Sequence, residues 1–268
     1  MKAPLLAAAC ALAAIACNAD QPAPTNEANA VQRAAEATPA PQGKPVVLKS
    51  ETPLLNWEVS WPAEVNAIPA LEKSIREPAE KALADLTKQA RDDKAQREKQ
   101  GFDFTGYEYL VAVEVAGQTP RLLSLTADWM EFTGGAHPNH GTDTMLWDKV
   151  SGRKIDLARL FGDGGSLDRL YRDAYCKALN AERAKKREGV DTVSDPDDPF
   201  SQCPKFSELQ IAPKGPEQGG PMTVLLFHAN PYVAGPYVEG DYDVELPVSA
   251  AFVAALKPDY RSSFAAKR

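Results

Sequence analysis

From residue 54 onward apolar side chains recur with two different periods. Their alternation predicts an α+β fold of antiparallel sheets and packed helices. Leu55, Trp57, Val59 and Trp61 alternate with polar neighbours and predict a half-buried strand, closed by Pro62. The period then changes. Ile68, Leu71, Ile75, Ala79, Leu83, Leu86 and Ala90 step by three or four, which places them on one stripe of a helix over about residues 67–100. Pro78 falls inside this run and predicts a kink or break near Glu77. Past Arg91 the charges cover every face, so that end is expected to project into solvent, with Gly101 stopping it.

Alternation returns through Tyr107, Tyr109, Val111, Val113 and Val115, and again through Leu123, Leu125, Ala127 and Trp129. Gly117-Gln118-Thr119-Pro120 is the expected hairpin between them. A third strand is expected over Thr142–Val150. Arg153–Asp156 should enter a short helix carrying Leu157, Leu160 and Phe161, with Asp156 as N-cap. A longer helix is predicted from Ser166 to Glu188. Its buried stripe is expected to be Leu167, Leu170, Tyr171, Ala174, Ala178 and Ala181, and its last turn holds Arg183, Lys185, Lys186 and Arg187, which suit the negative end of the helix dipole. Leu209 and Ile211 mark a short strand. Met222–His228 marks one buried on both faces, and Asp241–Leu246 a last strand before a helix from Pro247. The expected organisation is two subdomains, 46–150 and 151–265.

The first 45 residues lack this patterning. Residues 1–16 carry one Lys and a short Ala/Leu run, as a secretory signal peptide does. The run is too short for a comfortable membrane span. It ends at Ala14-Ile15-Ala16-Cys17, which resembles a bacterial lipobox, so Cys17 is the expected lipidated N-terminus. Cys10 is a weaker alternative, and cleavage near Ala19 to give a secreted or soluble periplasmic protein is another. Asn18 after the cysteine implies, by the lipoprotein sorting rule of two-membrane bacteria, the outer membrane. Residues 17–45, poor in aromatics and rich in Pro and Ala, are expected to be a disordered tether. Membrane attachment is expected through that lipid alone. A formal charge of -7 argues against a nucleic-acid partner. Export to the periplasm places Cys176 and Cys203 in an oxidising compartment, where a disulfide is expected.

Two stretches carry candidate chemistry. In Thr133-Gly134-Gly135-Ala136-His137-Pro138-Asn139-His140-Gly141, consecutive glycines free the backbone to approach a ligand, and two imidazoles lie three residues apart. Gly134, Gly135, His137, Asn139 and His140 are the candidate binding residues here. The alternative is a wide turn whose glycines need positive φ, with His137 bonded inward. The second stretch is Asn230–Gly240, where Tyr232, Tyr237 and Glu239 suit sugar or protein recognition. Its alternative is a rigid corner with both tyrosines plugged into the core. Neither stretch has the helical scaffold of a zinc motif, so no metal and no cofactor is expected. Glu131, Asp143, Glu239 and Asp241 are carboxylates of the type that a glycoside hydrolase pairs, but nothing in the order sets a catalytic separation. No catalytic residue is assigned.

Phe132-Thr133-Gly134-Gly135-Ala136-His137, then Gly152-Arg153-Lys154-Ile155-Asp156-Leu157-Ala158-Arg159-Leu160-Phe161, then Asn230-Pro231-Tyr232 with Gly235-Pro236-Tyr237-Val238-Glu239-Gly240 form an ordered set. Together they resemble a bacterial envelope family, the paired domain of unknown function in the extracytoplasmic part of the anti-sigma factor RsiV. The same pair precedes the catalytic domain of the peptidoglycan deacetylase PdaC. That resemblance implies a non-catalytic binding module for peptidoglycan, a lysozyme-like protein or a related glycan partner. Two other expectations stand beside it: an envelope hydrolase working through the 131–143 loop, and a structural assembly lipoprotein.

Overall fold

The computed structural model describes residues 43–162, 166–187, 198 and 200–267. The signal peptide, Cys10, Cys17 and most of the tether lie outside them. Among the described residues, nine strands form two sheets and five α-helices pack against them, the α+β class expected. The first sheet runs β1 (Val46–Glu51), β2 (Leu55–Trp61), β3 (Tyr107–Gln118), β4 (Leu122–Phe132), β5 (Asn139–Asp148) and β6 (Arg153–Ile155), in chain order. One pairing departs from the expected antiparallel pattern: β2 and β3 run parallel. Parallel neighbours need a long crossover. Helix α1 (Ala63–Asn66) and helix α2 (Pro69–Gln100) supply it.

α2 has 32 residues and passes through Pro78 without a break. Leu71, Ala79, Leu86 and Ala90 are its buried side chains, and the β2 alternation delivers Leu55, Trp57, Val59 and Trp61 to the same core. Burial of a side chain such as Leu55 or Leu71 is worth about 1.5–3 kcal/mol. None of residues 91–100 is buried. Gly101, at φ 78°, closes the helix as expected.

β4 and β5 serve both faces of the first sheet. Leu123, Leu125 and Trp147 join the α2 core, whereas Leu122, Leu146 and Ile155 join a second core. That second core belongs to α3 (Leu167–Lys186) and to the sheet of β7 (Gln210–Lys214), β8 (Val224–Ala229) and β9 (Tyr242–Pro247). β8 lies in the middle and is buried along almost its whole length. Helices α4 (Ala250–Ala255) and α5 (Pro258–Arg261) finish the chain. The segment expected to enter a helix at Arg153 is instead β6. The turn after it is a 3₁₀ helix over Leu157–Leu160, and the Asp156 side chain makes no cap bond.

α3 starts as expected, with Ser166 Oγ accepting from the Arg169 N–H at 3.3 Å. Its buried stripe is not the expected one. Tyr171, Tyr175, Leu179 and Arg183 are buried, while Ala174 and Ala181 are exposed. Arg183 is 1% exposed. Its guanidinium donates to the carbonyls of Ala234 (2.9 Å), Ser201 (3.3 Å) and Gln202 (2.9 Å) and to Asn180 Oδ1 (3.1 Å). It therefore holds two loops to the helix, and the expectation that it merely serves the helix dipole is corrected. Cys176 and Cys203 form a disulfide with Cα atoms 5.6 Å apart. It closes a loop of 27 residues, worth roughly 3–4 kcal/mol in the chain-entropy model.

The two sheets meet at an open edge. β6 pairs only with Leu146–Asp148, so the outward N–H groups of Thr142 and Thr144 on β5 have no strand partner. Side-chain amides replace the missing strand. Asn230 Oδ1 accepts from Thr142 N–H at 2.7 Å, and Asn230 Nδ2 donates back to Thr142 O at 3.2 Å. Gln210 Oε1 accepts from Thr144 N–H at 3.0 Å.

Candidate binding site

The two stretches singled out in the sequence meet in space. Phe132 ends β4, and the chain turns through Gly134 (φ 96°) and Gly135 (φ 113°) before β5 begins at Asn139. Those angles favour glycine. A Cβ on Gly134 would also lie 2.9 Å from the Arg97 guanidinium, so the far end of α2 runs beside this turn. The second stretch is wound tighter. A Cβ on Gly235 would meet Glu239 Oε2 at 2.3 Å. Tyr232 adopts φ 70°, a conformation non-glycine residues rarely take, and is 58% exposed.

Tyr237 joins the stretches. Its hydroxyl donates to Pro138 O at 2.5 Å and lies 3.2 Å from His140 Nδ1. His137 stacks on its ring at 3.9 Å between centroids, and Tyr232 lies 5.7 Å away on its other contact. Tyr232, Tyr237 and His137 thus form an aromatic ledge, with His140 edge-on to Tyr237 at 5.4 Å. Neither tyrosine is a core plug: Tyr232 is exposed and Tyr237 half-buried. His137 is exposed, and its Nδ1 contacts only the neighbouring Pro138 O, at 2.9 Å. Asn139 is exposed at the start of β5.

Glu239 points elsewhere. Arg187 holds it through two bonds at 2.8 and 3.0 Å, and Tyr242 donates its hydroxyl to Oε2. Burial would raise the Glu239 carboxyl, but Arg187 and Tyr242 outweigh that and hold it below its ordinary range. Burial and the same contact push the Tyr242 hydroxyl up to about 12. Glu239 therefore braces the loop from behind the ledge.

Beside the ledge lies a cavity of about 630 Å³, walled by the first sheet on one side and by β7, β8 and β9 on the other. Its lining is acidic, with Glu114, Asp128, Glu217, Asp241 and Asp243, against one lysine, Lys214. His140 and His228 also line it. His140 Nε2 lies 3.8 Å from Asp241 Oδ1. Of the four carboxylates considered for hydrolysis, only Asp241 is here. Glu131 and Asp143 sit instead around Tyr109, whose hydroxyl is pushed up first by burial and then by those two charges. Among the described residues no three His, Cys, Asp or Glu side chains gather as metal ligands do.

Residues 48–140 match the family described as Deacetylase PdaC. The PdaC-like stretch runs from β1 into the start of β5 and so includes the glycine turn but not the second half of the ledge. The chain is also similar in fold to a DUF3298 family protein of Pseudomonas aeruginosa PAO1. They share 18% identity over 84% of this chain and 97% of that one, with a TM-score of 0.52. A DUF3298 family member from Bacteroides fragilis aligns at 16% identity over 81% and 94% of the two chains, with a TM-score of 0.45. No curated protein matches. The resemblance is thereby borne out as PdaC-like over residues 48–140, which hold the first motif block, and as a likeness in fold to a DUF3298 family protein.

The sequence left some of the site unassigned. His228, Asp128 and Asp243 were not singled out, and Asn230 only as part of a loop. A usable signal existed for some of them. His228 and Asn230, like Asp241 and Asp243, are spaced by two at a strand end, which turns each pair toward one side.

Proposed function

We propose that this chain is a non-catalytic binding module that takes a glycan, of the peptidoglycan kind, across the ledge of Tyr232, Tyr237 and His137. The observation that carries the reading is Tyr232 itself. Its ring stands exposed on a backbone conformation that is costly for a tyrosine, next to a second aromatic pair in stacking geometry. Sugar rings present apolar C–H faces that stack on such rings, while Asn139 and the ledge hydroxyls offer hydrogen bonds at the rim. A hydrolase working through the 131–143 loop has less support, because Glu131 and Asp143 act on Tyr109 and neither lines the cavity that His140 enters. The same reading puts the domain at the bacterial envelope on a tether from lipidated Cys17, which mass spectrometry of membrane-extracted protein would register as an acylated cysteine.

Titration calorimetry with soluble peptidoglycan oligomers tests the proposal. Wild-type protein should bind, and Tyr232→Ala or Tyr237→Ala should weaken binding about tenfold, equivalent to about 1.4 kcal/mol. Tyr232 is exposed, so its variant is expected to fold normally. Absence of binding, equal binding by both variants, or release of cleaved glycan by the pure protein would each defeat the reading.

A further inference from the structure

We propose that His228, doubly protonated, is a pH-operated clasp that locks the second sheet onto the open edge of β5. His228 is 4% exposed, and both ring nitrogens are engaged. Nδ1 lies 2.6 Å from Asp243 Oδ1 and Nε2 lies 2.8 Å from Asn230 Oδ1. An ionised carboxylate only accepts, so Nδ1 must carry a proton.

Asn230 could in principle turn its amide and offer a donor to Nε2. Thr142 forbids that. Its N–H needs the amide oxygen at 2.7 Å, and its carbonyl takes the amide N–H at 3.2 Å. The backbone of β5 thus fixes which end of Asn230 faces His228, and that end is an acceptor. Nε2 must therefore carry a proton as well. The ring that satisfies both partners is the imidazolium.

The remaining charges in the cavity agree. From the β9 side come Asp243 and Asp241; from the first sheet come Asp128 and His140; from β7 comes Lys214. Glu114 and Glu217 complete the same lining. The balance is negative, which suits a buried cation. Burial alone would lower the His228 pKa, but the bond and charge of Asp243, with Asn230 and Asp241, outweigh it and raise it above 6.5.

Loss of the proton cannot be absorbed quietly. A neutral ring keeps one hydrogen. If Nδ1 keeps it, a lone pair on Nε2 faces the Asn230 oxygen. If Nε2 keeps it, a lone pair faces Asp243. Turning Asn230 to relieve the first case would set its amide hydrogens against the Thr142 N–H. The first two options cost His228 a bond within the second sheet, and turning Asn230 breaks the two bonds to Thr142 that join the sheets. The sign follows. The folded pKa is raised, so the clasp contributes fully below the unfolded value of about 6.5 and is lost as pH rises through the folded value.

The edge carries its own control. Thr144, two residues along β5, bonds Gln210 and involves no histidine. Hydrogen exchange of the full chain, with nitrogen NMR of the imidazoles across pH 5.5–9, therefore reports the clasp as the ratio of Thr142 to Thr144 protection. His228 should show both nitrogens protonated at pH 6.5. As it titrates, the ratio should fall about tenfold for each unit by which its midpoint exceeds 6.5. Asp243→Asn, at an exposed position, should lower the midpoint and carry the fall in the ratio with it. A single neutral tautomer at pH 6.5, a ratio that stays constant through the titration, or a fall that does not move in Asp243→Asn would overturn the proposal.

Discussion

Helices α2 and α3 each lay one face on a sheet, but they do it with different chemistry. α2 buries Leu71, Ala79, Leu86 and Ala90 and dresses its other faces with ion pairs four residues apart, such as Lys81–Asp85 and Lys88–Asp92. Its core is apolar and its charges are in water. α3 buries two tyrosines, a leucine and an arginine, and the arginine ties down two loops that the helix alone would not reach. The difference has a physical origin. α2 faces regular strands, whose backbone groups are already satisfied, whereas α3 also faces the irregular stretches around Ser201 and Ala234, whose carbonyls need donors. A polar side chain enters a core where the backbone beside it is not in a ladder.

Three measurements press on this contrast. The largest effect is expected from Arg183→Leu. It keeps an apolar stem on the α3 stripe but strands the carbonyls of Ala234, Ser201 and Gln202, and urea unfolding should show a loss of about 3–5 kcal/mol. If the loss is below about 1 kcal/mol, Arg183 is filler and the contrast fails.

Glu239→Gln should come next. It weakens the charged brace between Arg187, Tyr242 and the ledge loop, at a cost of about 1.5–3 kcal/mol near neutral pH. The folded carboxyl is held below its ordinary 4.5. Its contribution is therefore present above that value and is lost as pH falls through the folded one. Wild type should lose stability on acidification below about pH 4.5, and the Gln variant should show a shallower acid limb. Identical limbs would remove Glu239 from the account. The smallest effect belongs to α2: Lys81→Ala should leave the urea midpoint unchanged, because an exposed pair contributes little. A clear shift there would mean that the α2 surface charges matter more than the contrast allows.

These differences also explain what could be read from sequence. The β2 alternation and the α2 stripe were legible because apolar burial repeats with the period of the backbone. So was the Ser166 cap, which depends on neighbours three residues away. The α3 stripe departs from its periodicity because Ala174 and Ala181 are apolar but small, while Arg183 is charged but buried. Hydropathy ranks those residues the wrong way when loop carbonyls decide. β6 reads as a helix entry because Asp156 resembles an N-cap and the strand before it is only three residues long. In the candidate site, the turn glycines and the ledge residues were each visible. That Tyr237 would reach Pro138 was not, since 99 positions separate them. The acidic cavity was legible least of all, being assembled from both sheets.

The amides on β5 have a consequence for how molecules of this protein meet one another. An unsatisfied strand edge is a template on which a second chain can grow, and proteins commonly hide such edges. Over Thr142–Thr144 this one is occupied by Asn230 and Gln210, two side chains too short to propagate a strand of their own. They occupy the outward N–H groups and leave an incoming segment nothing to pair with there. Mutating them would therefore register first in the test tube as clumping at high concentration, before any change in folding became visible.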